Sequence, residues 1–318
     1  MNCSNPRVSV IIPVFNVEKY IARCLDSVVN QTLRDIEIIV VNDATPDNSM
    51  EIVREYATKD DRIIIIENEH NRGLMATRRV GYMASTGDYL TFVDSDDWLP
   101  ENAVEVLYNK AIETEVDLVV GGALHVGQDG KRGRVLLGRM RFGNDRLGLY
   151  KAVINRELIH NLWSKLYKRS IWQEYDYTTF ENCIFSEDAG AFFQYIAHCS
   201  SWALVDDIVY YYFTNLESAT FNVTLYSFEC SCKTALIQEN LLKQYHELDE
   251  DRRRYFTKYF FWSRLQKERY EILNKYGLQE YVSLKFIWRY VPLVPRVKFI
   301  IKLGLKMGSN QRAHRTLM

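Results

Sequence analysis

The stretch YLTFVDSDDWLPEN, residues 89 to 102, runs from strand-like apolar residues straight into Asp94, Asp96 and Asp97. Carboxylates crowded in this way repel one another and disfavour ionisation. One aspartate could cap the helix that Pro100 is suited to open, but three exceed what a cap needs. A divalent cation resolves the crowding. Hard ions such as Mg2+ or Mn2+ favour carboxylate oxygens, and Mg2+ commonly takes one or two of them together with phosphates of a substrate. A second acidic pair, Glu187-Asp188, stands at the head of EDAGAFFQYIAHC, a stretch of helical spacing. Acids in a first helical turn are favourable on electrostatic grounds alone.

These residues need elements to hold them. VSVIIP (8–13), IEIIVV (36–41), RIIIIE (62–67), YLTFV (89–93) and DLVVGG (117–122) are short, β-branched, continuous apolar runs. Such runs read as strands covered on both faces. Helical stripes lie between them: Ile21, Leu25, Val28 and Val29 share one face, and NSMEIVREYA and ENAVEVLYNKAIE repeat the pattern. Alternation of this kind predicts an α/β fold with a mostly parallel sheet and right-handed crossovers. Ligands then bind beyond the carboxyl ends of the strands. Pro13-Val14-Phe15-Asn16, Asn42-Asp43 and Asp94 to Asp97 all fall at such ends and define a site.

After about residue 122 the periodicity weakens. GQDGKRG (127–133) signals a turn, 150–172 is mixed, a helix is expected to start near Glu187, and IVYYYF (208–213) reads as a strand. From about residue 224 the chain reads as wholly helical. The expected organisation is a first half over 1–122, a second over 123–223, and a helical C-terminal region over 224–318.

Composition sets bounds on this reading. The 318 residues are 47% hydrophobic and 25% charged, with a formal net charge of −1. The core can be sizeable, and bulk charge predicts no nucleic-acid partner. Six cysteines form no metal-ligand quartet; Cys24 and Cys199 sit in apolar helical patterns, as buried free thiols do, and a reducing cytosol is expected. The N-terminus enters a strand without the charged and apolar segments of a signal peptide, and no window of 18 uninterrupted apolar residues suggests a membrane span.

Residues 7 to about 122 resemble the family-two glycosyltransferases, inverting enzymes of the GT-A fold. The resemblance rests on three blocks in order: VSVIIPVFNVEKYIARCLDSVVNQT, IEIIVVNDATPDNS and NRGLMATRRVGYMASTGDYLTFVDSDDWL. NLWSKLYKRSIW (161–172) and FSEDAGAFF (185–193) are similar to motifs of the family's acceptor half. The resemblance implies a GT-A domain with a C-terminal helical extension. It also implies non-processive transfer of one sugar from a nucleotide-diphospho-sugar, uridine-linked, to a glycan or lipid-linked acceptor of cell-surface polysaccharide synthesis.

Roles follow from the same resemblance. Asp94-Ser95-Asp96 corresponds to the DxD motif that holds Mn2+ or Mg2+ on the donor's diphosphate, and Asp97 is the alternative to Asp96 as direct ligand. Asp43 matches the acceptor of the uracil N3–H; read alone it serves an Asx-turn before Pro46 equally well. Phe15 would lie against the base, Pro13 would shape the strand's exit, and Arg78 aligns with an arginine near the nucleotide. Inversion needs a carboxylate that takes the acceptor hydroxyl's proton. Asp188 fills that role, with Glu187 positioning it. Trp163 and Lys165 fall where the family lines its acceptor site.

The chain departs from the pattern in places. Arg79 stands where the motif has Asn, and YYYFTNLESAT (210–220) lacks the arginines expected near Phe213 and Asn215. QKERY (266–270) is similar to the QxxRW signature of processive synthases but ends in Tyr. Residues after Glu280 carry eight Lys or Arg and no acid. In 296–308, Lys298, Lys302 and Lys306 share a stripe beside Phe299, Ile300, Leu303 and Met307, a pattern that suits an anionic membrane surface. The expected location is cytoplasmic, peripheral on the inner face of the cell membrane. Two other readings compete: a catalytically decayed, transferase-like binding protein, and a phosphatase using the acidic cluster. Trp98 after Asp97, and the cluster's place on the fourth strand, disfavour the phosphatase.

Overall fold

The computed structural model describes residues 6–180, 183, 185–215, 224–293, 295, 296, 298 and 299. The chain divides into two compact units, Met1–Asn222 and Val223–Met318.

The first unit is built on β1 (Val8–Val14), α1 (Ile21–Val29), β2 (Ile36–Asn42), α2 (Ser49–Ala57), β3 (Ile63–Glu67), α3 (Leu74–Ala84), β4 (Tyr89–Phe92), α4 (Ala103–Thr114) and β5 (Leu118–Val126). It continues through β6 (Arg132–Leu136), α5 (Arg146–Ile154), β7 (Lys165–Lys168), α6 (Arg169–Glu174), α7 (Glu187–His198) and β8 (Trp202–Phe213). The strands form one sheet in the order β3-β2-β1-β4-β7-β5-β6, with β8 parallel to β5 on its other side. Every residue of β1 and β2 is buried, as their unbroken apolar runs require.

Strands β1 to β4 pair in parallel as expected. The sheet then turns mixed, because β7 inserts antiparallel between β4 and β5. The expected fifth neighbour, β5, is therefore one strand further out. Register levels the carboxyl ends: Val14 lies opposite Asn42, and Phe92 opposite Ile11. Pro13 and Asp94 consequently emerge side by side. Helix α3 lies close on this sheet. A Cβ on Gly81 would stand 2.5 Å from Ile11 Cγ2 and 3.3 Å from Val41 Cγ2. That close approach sets the depth at which Arg78, one turn earlier, enters the domain.

In the second unit the described residues are helical: α8 (Leu225–Leu242), α9 (Asp249–Phe260), α10 (Lys267–Lys275) and α11 (Leu284–Tyr290), with short 3-10 turns between them. Thr224 and Ser227 cap α8 reciprocally. Buried Arg252 donates to Glu239 Oε1 (3.2 Å), Tyr281 Oη (2.9 Å) and Asp249 Oδ1 (3.0 Å). Among the described residues no helix is long and apolar enough to cross a membrane.

The expected membrane-facing stripe needs correction at its first apolar position. Phe299 is buried in a cluster with Phe261, Leu265, Ile287 and Val291, since an aromatic ring finds more apolar contact there than in water. Lys298 is exposed. Ile300, Lys302, Leu303, Lys306 and Met307 lie outside the described residues.

Candidate active site

The carboxyl ends of β1, β2 and β4 open into a cavity of about 590 Å³. Its wall carries Pro13, Phe15, Asp43, Arg78, Asp94, Asp96, Trp163, Glu187 and Asp188, all expected from the sequence. Asn16, Asn71, Gly73, Thr77, Tyr212 and Asn215 also line it. Four residues beside these elements hold left-handed backbone without being glycine: Asn16 (φ 56°), Ala44 (φ 53°), Ser164 (φ 56°) and Ser186 (φ 65°). Such strain persists where the surroundings over-determine it, and it clusters at functional sites.

Arg78 is the centre of the arrangement. Fully buried on α3, it donates Nη2 to Asp94 Oδ1 at 2.5 Å and Nη1 to Asp188 Oδ1. Burial opposes its charge, but the Asp188 and Asp94 carboxylates outweigh burial and hold the guanidinium firmly protonated. Asp94 in turn is pushed up to about 6 by its own burial, with Arg78 opposing and Asp188 reinforcing the rise.

Asp188 lies in the first turn of α7. Its second oxygen, Oδ2, accepts the backbone N–H of Leu162 at 3.2 Å. Neighbouring Glu187 is pushed up to about 8, first by burial and then by the Asp188 charge. Glu187 is therefore largely protonated at neutral pH. Burial also lowers the His160 imidazole to about 4.

Asp96 Oδ2 accepts Asn215 Nδ2 at 3.0 Å. Asp97, expected in the acidic metal cluster as the alternative to Asp96, is placed elsewhere. It is 1% exposed and absent from the cavity wall, and its oxygens accept Tyr210 Oη and the Phe213 N–H, each at 2.7 Å. It anchors β8 behind the site. The donor set that can meet a cation reduces to Asp94 and Asp96. Among the described residues no cluster of three or more His, Cys, Asp or Glu is arranged to hold a metal. Two hard carboxylates suit an ion that completes its shell from substrate phosphates. Even with Glu187 protonated, four other acids face one guanidinium across the cavity, and that surplus fits a divalent cation.

Asp43 is also held from within. Its Oδ1 accepts Asn68 Nδ2 and the Arg72 N–H, both at 2.9 Å, and Oδ2 accepts the Gly73 N–H at 3.0 Å. The Asx-turn before Pro46 belongs to Asn42, whose Oδ1 accepts the Thr45 N–H. Gly73, with φ 86°, allows the chain to turn around the carboxylate into α3.

Trp163 lines the cavity and stacks on Tyr210 (4.7 Å between centroids) and Tyr212 (5.3 Å). Lys165, expected beside it against an acceptor, is buried instead and does not line the cavity. Its Nζ donates to Asn161 O (2.7 Å), Asn161 Oδ1 (3.1 Å) and Trp163 O (3.3 Å). Lys165 thus clamps the 161–164 turn that presents Trp163 to the cavity and Leu162 to Asp188. Burial lowers its ammonium to about 7, against the pull of Asp188. Arg79 points away from the site, to Tyr177 O and Asp176. In the sequence Asn215 stands out only for not being arginine; its contact with Asp96 follows from β8 pairing with β5 and leaves no local signal.

Residues 9–186 match the family model described as Glycosyl transferase family 2. The glycosyltransferase GlyA of Streptococcus pneumoniae serotype 4 is 38% identical over 176 residues, which cover 53% of this chain and 25% of that protein. The chain thus matches only about a quarter of that relative's length. The uncharacterized glycosyltransferase EpsJ of Bacillus subtilis is 32% identical over 76% of this chain and 68% of its own length. Among solved structures, S. aureus TarS 1-349 in complex with UDP-GlcNAc superposes with a TM-score of 0.62. It is 18% identical, with 89% of this chain and 91% of that one covered, a likeness that shows the fold.

Proposed function

The chain belongs to glycosyltransferase family 2, and on that premise we propose that it moves one sugar, with inversion, from a uridine-diphospho-sugar to a hydroxyl of a glycan or lipid-linked acceptor in cell-surface polysaccharide synthesis. The observation that carries the proposal is the convergence of Asp94, Asp96 and Asp188 on one cavity. A donor-binding strand end and a proton acceptor from the other half of the unit thereby face the same space.

Asp43 would accept the uracil N3–H, with exposed Phe15 covering the base and Pro13 fixing the turn out of β1. Asp94 and Asp96 would hold Mn2+ or Mg2+, which supplies Lewis-acid neutralisation of the departing diphosphate. The acceptor hydroxyl would lie against Trp163, whose face suits the C–H surface of a sugar. Its proton passes to Asp188 as the new bond to the anomeric carbon forms and the bond to the diphosphate breaks. Leu162 N–H and Arg78 fix the carboxylate's orientation for that transfer. Protonated Glu187 keeps a second negative charge away from the reacting centre. The UDP-GlcNAc complex of the staphylococcal neighbour supports a uridine donor. The basic tail beginning at exposed Lys298 would hold the enzyme at the cytoplasmic face of an anionic membrane.

Incubation with a panel of UDP- and GDP-sugars and Mn2+ tests the reading. Hydrolysis or transfer with a uridine donor is expected. Turnover of phosphomonoesters alone, or of nothing, contradicts it.

A further inference from the structure

The β6 arm is largely exposed, and the site does not use it. All five residues of β6 are exposed or nearly so, and β6 forms an edge of the sheet. Between Gly130 and Asn144 the sequence has no acid. It has Lys131, Arg132, Arg134, Arg139 and Arg141, all exposed. Lys131 pairs with Asp129 and Arg141 with Glu157; Arg132, Arg134 and Arg139 make no ion pair among the described residues. Interleaved with them, Val135, Leu137, Met140 and Phe142 are 38–48% exposed.

We propose that this arm is a docking surface for an anionic lipid bilayer. Charge complementarity and apolar exposure together select that occupant. A row of arginines alone would suit any polyanion, such as a phosphodiester chain. Four large apolar side chains among them gain nothing from a soluble polyanion, yet they enter the headgroup boundary of a bilayer while the cations meet lipid phosphates. A second copy of the chain fits poorly: edge-to-edge pairing of β6 would bring Arg132 and Arg134 against their own counterparts.

The arm is tied to the site. The Arg139 N–H donates to Glu157 O at 3.1 Å. The irregular segment it meets there continues through exposed Ile159 to the 161–164 turn that carries Trp163. A docked arm would therefore set the acceptor side of the cavity near the lipid surface. The surface itself is inferred without the transferase reading, and only this orientation rests on it.

The test is co-sedimentation of the full chain with phosphatidylcholine vesicles, with and without phosphatidylglycerol. Two variants of exposed residues are compared: Arg132→Gln/Arg134→Gln/Arg139→Gln, and Val135→Ser/Met140→Ser/Phe142→Ser. An unchanged melting temperature confirms that each folds. Binding to the anionic vesicles is expected to fall about a hundredfold in the charge variant, the equivalent of ~1 kcal/mol per cation. The apolar variant should lose the part of binding that survives high salt. The same losses should appear in a Lys298→Gln/Lys302→Gln/Lys306→Gln background, which separates the arm from the tail and leaves Phe299 in its buried cluster. The proposal fails if the charge variant partitions like wild type. It fails if soluble polyphosphate binds wild type and apolar variant equally and as tightly as vesicles do. It also fails if wild type is a dimer that the charge variant dissociates.

Discussion

Arg78 and Asp188 meet across 110 residues of chain, a buried guanidinium on the carboxylate that faces the cavity. The same guanidinium holds Asp94 at 2.5 Å. One cation therefore fixes the spacing between the carboxyl end of β4 and the first turn of α7. Removing it strands two carboxylates in a poorly solvated site. Arg78→Met is expected to cost about 3–5 kcal/mol of stability, the usual penalty for breaking a buried ion pair from one side. Urea unfolding measures it. A loss below ~1 kcal/mol would mean that water or another cation takes over the role.

Asp96 and Asp97 separate by experiment. Asp96→Asn should weaken Mn2+-dependent UDP binding and leave the unfolding midpoint nearly unchanged. Asp97→Asn should do the reverse, since its oxygens serve Tyr210 and Phe213. Calorimetry with and without Mn2+, beside thermal unfolding, distinguishes them. An Asp97→Asn protein of normal stability that has lost the metal effect would restore Asp97 to the ligand set.

These two residues also mark how far the sequence is legible. Strands β1, β2 and β4 were readable because covered parallel strands leave unbroken apolar runs, and their ends named Pro13, Asp43, Asp94 and Asp96. Strand β7 was not, because Lys165-Leu166-Tyr167-Lys168 is four residues bracketed by lysines, and pairing with β4 and β5 overrides its composition. Asp96 and Asp97 are alike in sequence; partners more than a hundred residues away, Tyr210 on β8 and Asn215 just past its end, distinguish the one turned inward from the one at the cavity. Lys165 reads as an acceptor-facing cation, and only the oxygens of its own turn explain its burial.

Glu187 and Asp188 predict an alkaline limb in the pH profile. Glu187 is protonated below about 8 and ionises above it. Ionisation adds a second charge beside Asp188 and opposes the anionic donor. Wild-type kcat/KM should therefore fall above about pH 8, while Glu187→Gln, which mimics the protonated acid, should keep its rate there. A variant that loses activity at every pH, with the limb unchanged, would assign the limb to another group.

His160 gives a stability test of opposite sign. Its folded value, about 4, lies below the 6.5 of the unfolded chain. The unfolded state therefore binds the extra proton between those values, and the folded state loses stability as pH falls from about 6.5 towards 4. His160→Gln cannot titrate and should lose less over that window. Urea midpoints at neutral and acid pH check it, and parallel midpoint curves for the two proteins would refute the assignment.

The most direct measurement is made on Asp188→Asn, which keeps the side chain's shape and removes its ability to take a proton. Transfer from the uridine donor should fall ~10²–10⁴-fold, the usual contribution of a positioned general base. UDP binding with Mn2+, measured by calorimetry on the same preparation, should stay at the wild-type value, since Asp43, Asp94 and Asp96 remain in place. Transfer at close to the wild-type rate would contradict the assignment of Asp188 as the base.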